Sequence, residues 1–333
     1  MLCLNEWHGK NSSFYHGDCV EVARQLPDNS VDMQLYSPPF SSVYTYSDST
    51  RDMGNCDSDA EFFDQYAHLA KDLYRILRPG RLCAVHCKDL VYYKGSSGRQ
   101  SAGLRDFPGD LVRAHIAAGF DLHSKVTIWK DPVIEMQRTK AHGLLWKQLR
   151  ADSTISRQGC AEYLLVFRKW PRSEQEEDAV VPVTHTMESF PVLQWQEWAS
   201  PVWMTINQTN VLNVQAARED QDEKHMCPLQ LDVIERAVKL YTNPGEVVFS
   251  PFGGIGSEGG RLAHLRAALR RRGVEGKLLE YRRCQPARVG RAAAGVAVRR
   301  WRMTSTLPAA LAWLSGCTLY DLARACSVGR ASA

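Results

Sequence analysis

The sequence predicts an α/β fold with a ligand site at the carboxyl edge of its sheet. Two short stretches point there. The apolar run Val31-Asp32-Met33-Gln34-Leu35-Tyr36 leads into Ser37-Pro38-Pro39-Phe40. Some 210 residues later, Glu246-Val247-Val248 leads into Phe249-Ser250-Pro251-Phe252-Gly253-Gly254-Ile255-Gly256. Each reads as a buried strand closing in a tight turn, and in an open α/β sheet such loops gather where ligands bind. Helical and strand-like stretches fill the chain between them.

Taken in order, Phe14-Tyr15-His16-Gly17-Asp18-Cys19 reads as a short strand ending in a Gly-Asp turn. Val20 to Leu26 follows as a short helix, stopped by Pro27-Asp28-Asn29-Ser30. After the Ser-Pro-Pro-Phe turn, residues 41–58 are rich in Ser, Tyr, Asp, Thr and Asn and read as a long mobile loop. Asp59 to Leu77 carries Phe62, Phe63, Tyr66, Leu69, Leu73 and Leu77 at helical spacing, with Arg78-Pro79-Gly80 as its stop. Leu82 to His86 is a buried strand, and Asp106 to Ala118 a helix ended by Gly119. Val126 to Trp129 and Tyr163 to Phe167 are two more strands with a basic loop between them. Residues 170–226 change character, with clustered acids and then Trp195, Trp198 and Trp203, and read as a less regular insertion. Leu229 to Tyr241 returns to a clear amphipathic helix before the glycine-rich turn.

Bulk properties narrow the class. With 333 residues, 44% hydrophobic and 23% charged, the chain can bury a full core. Met1-Leu2-Cys3-Leu4-Asn5-Glu6 lacks the basic start and apolar centre of a signal peptide. No apolar run reaches membrane-span length, so a cytoplasmic protein without membrane contact is expected. The ten cysteines show no framework spacing, and Cys83 and Cys87 read as buried reduced thiols rather than a metal site. The net charge of +4 is uneven: from Gly259 onward 14 arginines and one lysine face three acids, a balance of +12 that leaves −8 elsewhere.

The two turns have complementary chemistry. Gly253-Gly254-Ile255-Gly256 lets the backbone approach a ligand closely, which suits a nucleotide-like cofactor. It matches neither a dinucleotide fingerprint nor a phosphate-binding loop. In Ser37-Pro38-Pro39-Phe40 the prolines fix φ and remove backbone donors, leaving carbonyls to accept hydrogen bonds from an amino group. Phe40 can stack on a flat base.

Together these residues resemble the amino-methylating DNA methyltransferases that use S-adenosylmethionine. Ser37 to Phe40 matches the family's catalytic Asp/Asn/Ser-Pro-Pro-Tyr/Phe signature, and Phe252 to Gly256 its cofactor loop. The order, catalytic motif first and cofactor motif last, is similar to the family's β group. Gly17-Asp18 with Leu26 to Asp32, and His225 to Glu235, resemble further family segments. The resemblance covers residues 14–258, least securely 133–226.

The resemblance implies a Rossmann-like methyltransferase fold, a mostly parallel seven-stranded sheet in circularly permuted order. Residues 10–169 correspond to the catalytic half, 170–226 to a variable target-recognition insertion, and 227–260 to the cofactor segment. It implies methylation of the exocyclic amine of a base flipped out of double-stranded DNA, with no metal. Ser37, Pro38, Pro39 and Phe40 are its catalytic residues. Asp18, Ser250, Pro251, Phe252, Gly253, Gly254 and Gly256 hold the cofactor, with Asp18 beside the adenine. The leading serine favours N4 of cytosine over N6 of adenine. Arg138, Lys140, His142, Lys147, Arg150 and Arg157 are candidates for gripping phosphate, and Tyr44 and Tyr46 for covering the flipped base. A modification system or prophage is a natural setting. The alternatives are an inactive DNA-binding remnant, or a methyltransferase acting on RNA, protein or a small molecule.

Two departures stand out. Ser250 occupies the position where the family has Asp. After Gly259 the pattern gives way to an Arg/Ala/Gly-rich run, residues 261–333, without strand alternation or the family's ribose-holding acid. Such a run is what a GC-rich gene yields in the wrong reading frame; a basic DNA-binding extension is the competing explanation.

Overall fold

The computed structural model describes residues 3–9, 12–41, 52–95, 100–139, 144–212, 228–253 and 295–298. Eleven strands and eight α-helices are assigned among them, with a short 3-10 turn at Met53–Asn55. The strands are β1 (Cys3–Gly9), β2 (Ser12–Gly17), β3 (Val31–Tyr36), β4 (Leu77–Lys88), β5 (Leu90–Tyr92), β6 (Gly103–Arg105), β7 (Asp121–Ile128), β8 (Glu162–Arg168), β9 (Val202–Trp203), β10 (Val248–Phe249) and β11 (Gly295–Val298). The helices are α1 (Cys19–Gln25), α2 (Asp59–Ile76), α3 (Phe107–Ala118), α4 (Pro132–Thr139), α5 (Trp146–Ala151), α6 (Glu174–Asp178), α7 (Val192–Trp198) and α8 (Leu231–Tyr241).

Six strands form the central sheet in the order β10-β3-β4-β8-β7-β9. β10, β3 and β4 pair in parallel, β8 runs against both β4 and β7, and β9 lies parallel to β7. Five strands therefore share one direction and β8 alone opposes them. The expected sheet is present and mostly parallel, with six rather than seven strands among the described residues. β2 stands outside it, between β1 and β11 in a separate antiparallel sheet. β5 and β6 form a small third sheet.

The helices cover both faces, so the strands read as apolar runs on both sides. On one face α1, α2 and α3 pack through Val22, Phe62, Tyr66, Leu69, Leu73, Phe107 and Leu111 against Cys83, Val85, Leu165 and Phe167. On the other, Val233, Ile234, Ala237 and Val238 of α8 meet Met33, Leu35, Ala84, Leu164 and Val166. The period of two along each strand sorts the side chains. Odd-numbered Cys83 and Val85 face α2 and α3, and even-numbered Ala84 faces α8.

α2 shows why these helices form. Ser58 caps its start by accepting from Glu61 N at 3.2 Å, a contact of the kind that stabilises by about 1 kcal/mol. Phe62, Tyr66, Leu69, Ala70, Leu73 and Ile76 are all buried. α3 is capped by Asp106 and ends at Gly119, whose φ of 108° lies in the left-handed region.

Two expectations need correction. Arg78-Pro79-Gly80 does not terminate α2, which ends at Ile76; these residues bulge within β4, where the pairing to β3 jumps from Val31↔Leu77 to Met33↔Leu82. The basic loop between β7 and β8 contains α4 and α5. The stretch after residue 170 contributes β9 to the edge of the central sheet, where Trp203 is buried. The segment 42–51 and residues 254–294 and 299–333, including the proposed out-of-frame tail, lie outside the described residues save β11.

Candidate active site

Strands β3 and β10 are hydrogen-bonded neighbours, paired Met33↔Val248 and Gln34↔Phe249. Their parallel course brings Ser37-Pro38-Pro39-Phe40 and Ser250-Pro251-Phe252-Gly253 to the same carboxyl edge. Pro38 and Pro39 are buried, Ser37 and Phe40 half-buried, and Ser250 to Gly253 buried. The Phe252 ring lies 5.7 Å from that of Tyr36, the last residue of β3, so the second turn packs against the strand end from which the first one leaves. Ser250 Oγ donates to the Phe252 carbonyl at 3.5 Å, bracing the turn where an Asp was expected. Gly254 and Gly256 lie outside the described residues.

Asp18 is the N-cap of α1, where its Oδ1 accepts from Val20 N at 2.9 Å and Glu21 N at 3.2 Å. Burial, and then the charge of Asp18, push the neighbouring Cys19 thiol far up, with Asp52 adding to the effect. Cys19 belongs to the same apolar cluster as Phe252.

Successive side chains of the catalytic turn point to opposite faces. Tyr36 enters the α2–α3 layer, where its hydroxyl is 2.9 Å from Tyr66 Oη and 3.1 Å from His115 Nε2. His115 stacks on Phe167 with ring centroids 4.1 Å apart, and burial lowers its pKa to about 4. Ser37 faces the α8 side, where its Oγ is 3.4 Å from His86 Nδ1. His86 Nε2 lies 3.1 Å from Glu162 Oε2. Lys130 Nζ and Gln230 Nε2 reach the same carboxylate at 2.7 and 2.9 Å. Burial alone would raise the Glu162 carboxyl, but His86 and Lys130 outweigh it and hold it far below the usual carboxylate range.

Phe40 is held from the side. Its ring meets Phe107 edge-on at 6.0 Å, and the Arg105 guanidinium sits 5.4 Å over Phe107. Arg105 pairs with Asp59, which also accepts from Ser41 Oγ at 2.7 Å. Ser41, with φ of 52°, turns the chain sharply just after Phe40.

A model of the N6/N4 DNA methylase family matches residues 31–272. The chain belongs to this family. Among relatives of this DNA methylase family member, the Type II methyltransferase M.BglII of Bacillus subtilis is 23% identical over 249 residues, 74% of this chain and 61% of that protein. The chain thus spans under two thirds of that relative. M.BamHI of Bacillus amyloliquefaciens, also a Type II methyltransferase, is 33% identical over 66 residues, 20% of this chain and 15% of that one. Among solved structures, TTHA0409 of Thermus thermophilus, in complex with S-adenosyl-L-methionine, shares the fold with a TM-score of 0.53. It is 19% identical, over 82% of this chain and 98% of that one.

The β7–β8 connection also lies at the carboxyl edge, because β7 runs parallel to β3. Lys147 and Arg150 stand exposed on α5 within it, beside Trp146, which is 71% exposed. Arg157 lies 5.8 Å from the Tyr93 ring centroid. The side chain of Arg138, on α4, and all of Lys140, His142, Tyr44 and Tyr46 lie outside the described residues. Among the described residues no helix is long and apolar enough to cross a membrane.

Sequence reasoning did not single out His86, Glu162, Lys130 or Gln230. A signal existed for one of them: Glu162 is an acid heading the otherwise apolar Tyr163–Phe167. Gln230 gave none, since it is the N-cap of α8 yet makes no cap bond and turns to Glu162 instead.

Proposed function

We propose that this family member moves a methyl group from S-adenosylmethionine to the exocyclic amine of a base in double-stranded DNA. N4 of cytosine is preferred over N6 of adenine, on the leading Ser37. The observation that carries this reading is that the Ser37–Phe40 and Ser250–Gly253 turns leave the same edge of adjacent parallel strands, with Phe252 against Tyr36. The donor set fits the cofactor. Asp18 supplies a carboxylate suited to amino and hydroxyl groups, Phe252 an aromatic wall, and Gly253 a position without a side chain.

When bound, S-adenosylmethionine supplies an electrophilic methyl on a positively charged sulfur. The protein's own task is to present a poor nucleophile, because the lone pair of an aromatic amine is delocalised into the ring. Phe40, braced by Phe107, stacks on the extruded base. Ser37 Oγ and the Pro38 carbonyl accept the amine hydrogens, which draws electron density onto nitrogen and aims its lone pair. Two prolines make that carbonyl rigid, so little reorganisation accompanies the reaction. Exposed Lys147 and Arg150 at the same edge engage the phosphate backbone, and the segment 170–226 reads the target.

The test is transfer of labelled methyl to unmethylated genomic DNA, with the product nucleosides identified by mass. N4-methylcytosine supports the full reading, and N6-methyladenine reverses the choice of base. Label in RNA or protein but not in DNA overturns the substrate assignment. No transfer by folded protein favours the inactive remnant.

A further inference from the structure

We propose that Ser37, His86 and Glu162 form a proton relay that removes the surplus proton from the methylated amine. The proposal rests on the methyl-transfer reading above and adds the step that the reading leaves open. Once the target nitrogen has bonded to the methyl carbon and the carbon–sulfur bond has broken, the base carries one proton too many and a positive charge. Something must take that proton. Pro38 and Pro39 cannot, having neither titratable group nor N–H.

The geometry supplies an acceptor. Ser37 Oγ, His86 Nδ1, His86 Nε2 and the Glu162 carboxylate follow one another at 3.4 and 3.1 Å. His86 is 5% exposed and Glu162 8%, so the line runs inward from a half-buried hydroxyl to a buried anion. A carboxylate is acceptor only, so His86 must donate to it from Nε2. In the neutral ring Nδ1 is then the acceptor, and the Ser37 hydroxyl donates to it. The order of donation is thereby fixed: amine to Ser37 Oγ, Ser37 proton to Nδ1, imidazolium held against Glu162. Electrons and protons balance, because the serine ends as it began and the imidazolium releases its proton to solvent after the product leaves.

Lys130 and Gln230 complete the device. Lys130 at 2.7 Å keeps Glu162 ionised, and Gln230 at 2.9 Å fixes the oxygen that faces His86. His86 and Glu162 meet because even positions of β4 and β8 face α8 at their ends next to the catalytic turn. The 3.4 Å step from Ser37 is long, as catalytic hydrogen bonds often are before substrate tightens them. In the Ser-His-acid systems of acyl transfer the serine becomes a nucleophile; here it stays a conduit, since the amine itself attacks.

The experiment has two arms on the full chain. In the first, protein labelled with ¹⁵N in its histidines is examined by long-range proton–nitrogen correlation at a pH where the ring is neutral. The His86 signals are those lost in His86→Asn. The expected result is a protonated Nε2, a bare Nδ1, and an Nδ1 resonance displaced in Ser37→Ala. A proton on Nδ1, or no response to Ser37→Ala, overturns the relay whether or not the protein methylates anything. In the second arm, single-turnover methyl transfer is measured for His86→Asn and Glu162→Gln. The relay predicts at least a roughly tenfold fall in rate, with affinity for S-adenosylmethionine and for DNA within about twofold of the parent. Rates within about twofold in both variants overturn it. No transfer by the parent itself overturns the proposed function instead, and the first arm still decides the hydrogen-bond order.

Discussion

Ser37 and Tyr36 are adjacent, yet they belong to different halves of the molecule. Tyr36 anchors the turn in the α2–α3 layer through Tyr66 and His115, while Ser37 looks toward His86. His115 donates from Nδ1 to the Leu111 carbonyl at 2.8 Å, which leaves Nε2 to accept from Tyr36. That arrangement needs a neutral ring. With its pKa near 4 in the fold against 6.5 in the unfolded chain, His115 binds a proton only in the unfolded state between those values. Stability therefore falls as pH drops from 6.5 to 4, by up to about 3 kcal/mol from this group. Urea unfolding at pH 7 and 4.5 measures the slope. His115→Phe removes this part of the pH dependence together with the Tyr36–His115 hydrogen bond, leaving Tyr66 as the partner of that hydroxyl, an expected loss of about 1 kcal/mol at pH 7.

Phe40 makes a different prediction at the same scale. Its ring is partly exposed at the carboxyl edge and meets Phe107 at right angles, a placement suited to stacking on a base. Phe40→Ala is expected to weaken binding of DNA with an extruded target base by about 1–3 kcal/mol. Thermal stability should change little. A fluorescence titration with an abasic or mismatched target site checks it.

Among elements, α3 carries Phe107 at its first position and His115 on its buried side, so its placement sets both supports of the turn. Gly119 ends it with φ of 108°, and a Cβ there meets Arg172 Nη2 at 3.1 Å. Gly119→Ala is expected to destabilise by about 1–2 kcal/mol, read by urea unfolding. The β7–β8 connection is the element facing DNA in the proposed function. Lys147→Gln with Arg150→Gln removes two cations, and the slope of log affinity against log salt should flatten by about 1.8 if both contact phosphate. An unchanged slope would place the DNA elsewhere.

At the scale of the whole molecule, the carboxyl edge of the sheet gathers residues from positions 37–40, 86, 130, 162, 230 and 250–253. Much of this was legible. The apolar runs ending in Pro-Pro and Pro-Phe-Gly gave β3 and β10, and helical spacing gave α2, α3 and α8 nearly to the residue. β9 was not legible, since a strand of two residues, Val202–Trp203, carries no period. Nor was the bulge at Pro79-Gly80, because a Pro-Gly pair reads as a helix stop unless strand pairing continues past it.

Local chemistry alone specified the two turns, the helices and the family resemblance, because prolines, glycines and periodic apolar residues act on their own neighbourhood. The relay of Ser37, His86, Glu162, Lys130 and Gln230 has no such local imprint. Its members lie up to 193 positions apart, from Ser37 to Gln230. They meet only because parallel pairing of β3 with β4, antiparallel pairing of β4 with β8, and the seating of α8 on one face set their register. A buried histidine, acid and lysine are unfavourable singly and are stabilised by one another, so the packed fold is what makes them a site.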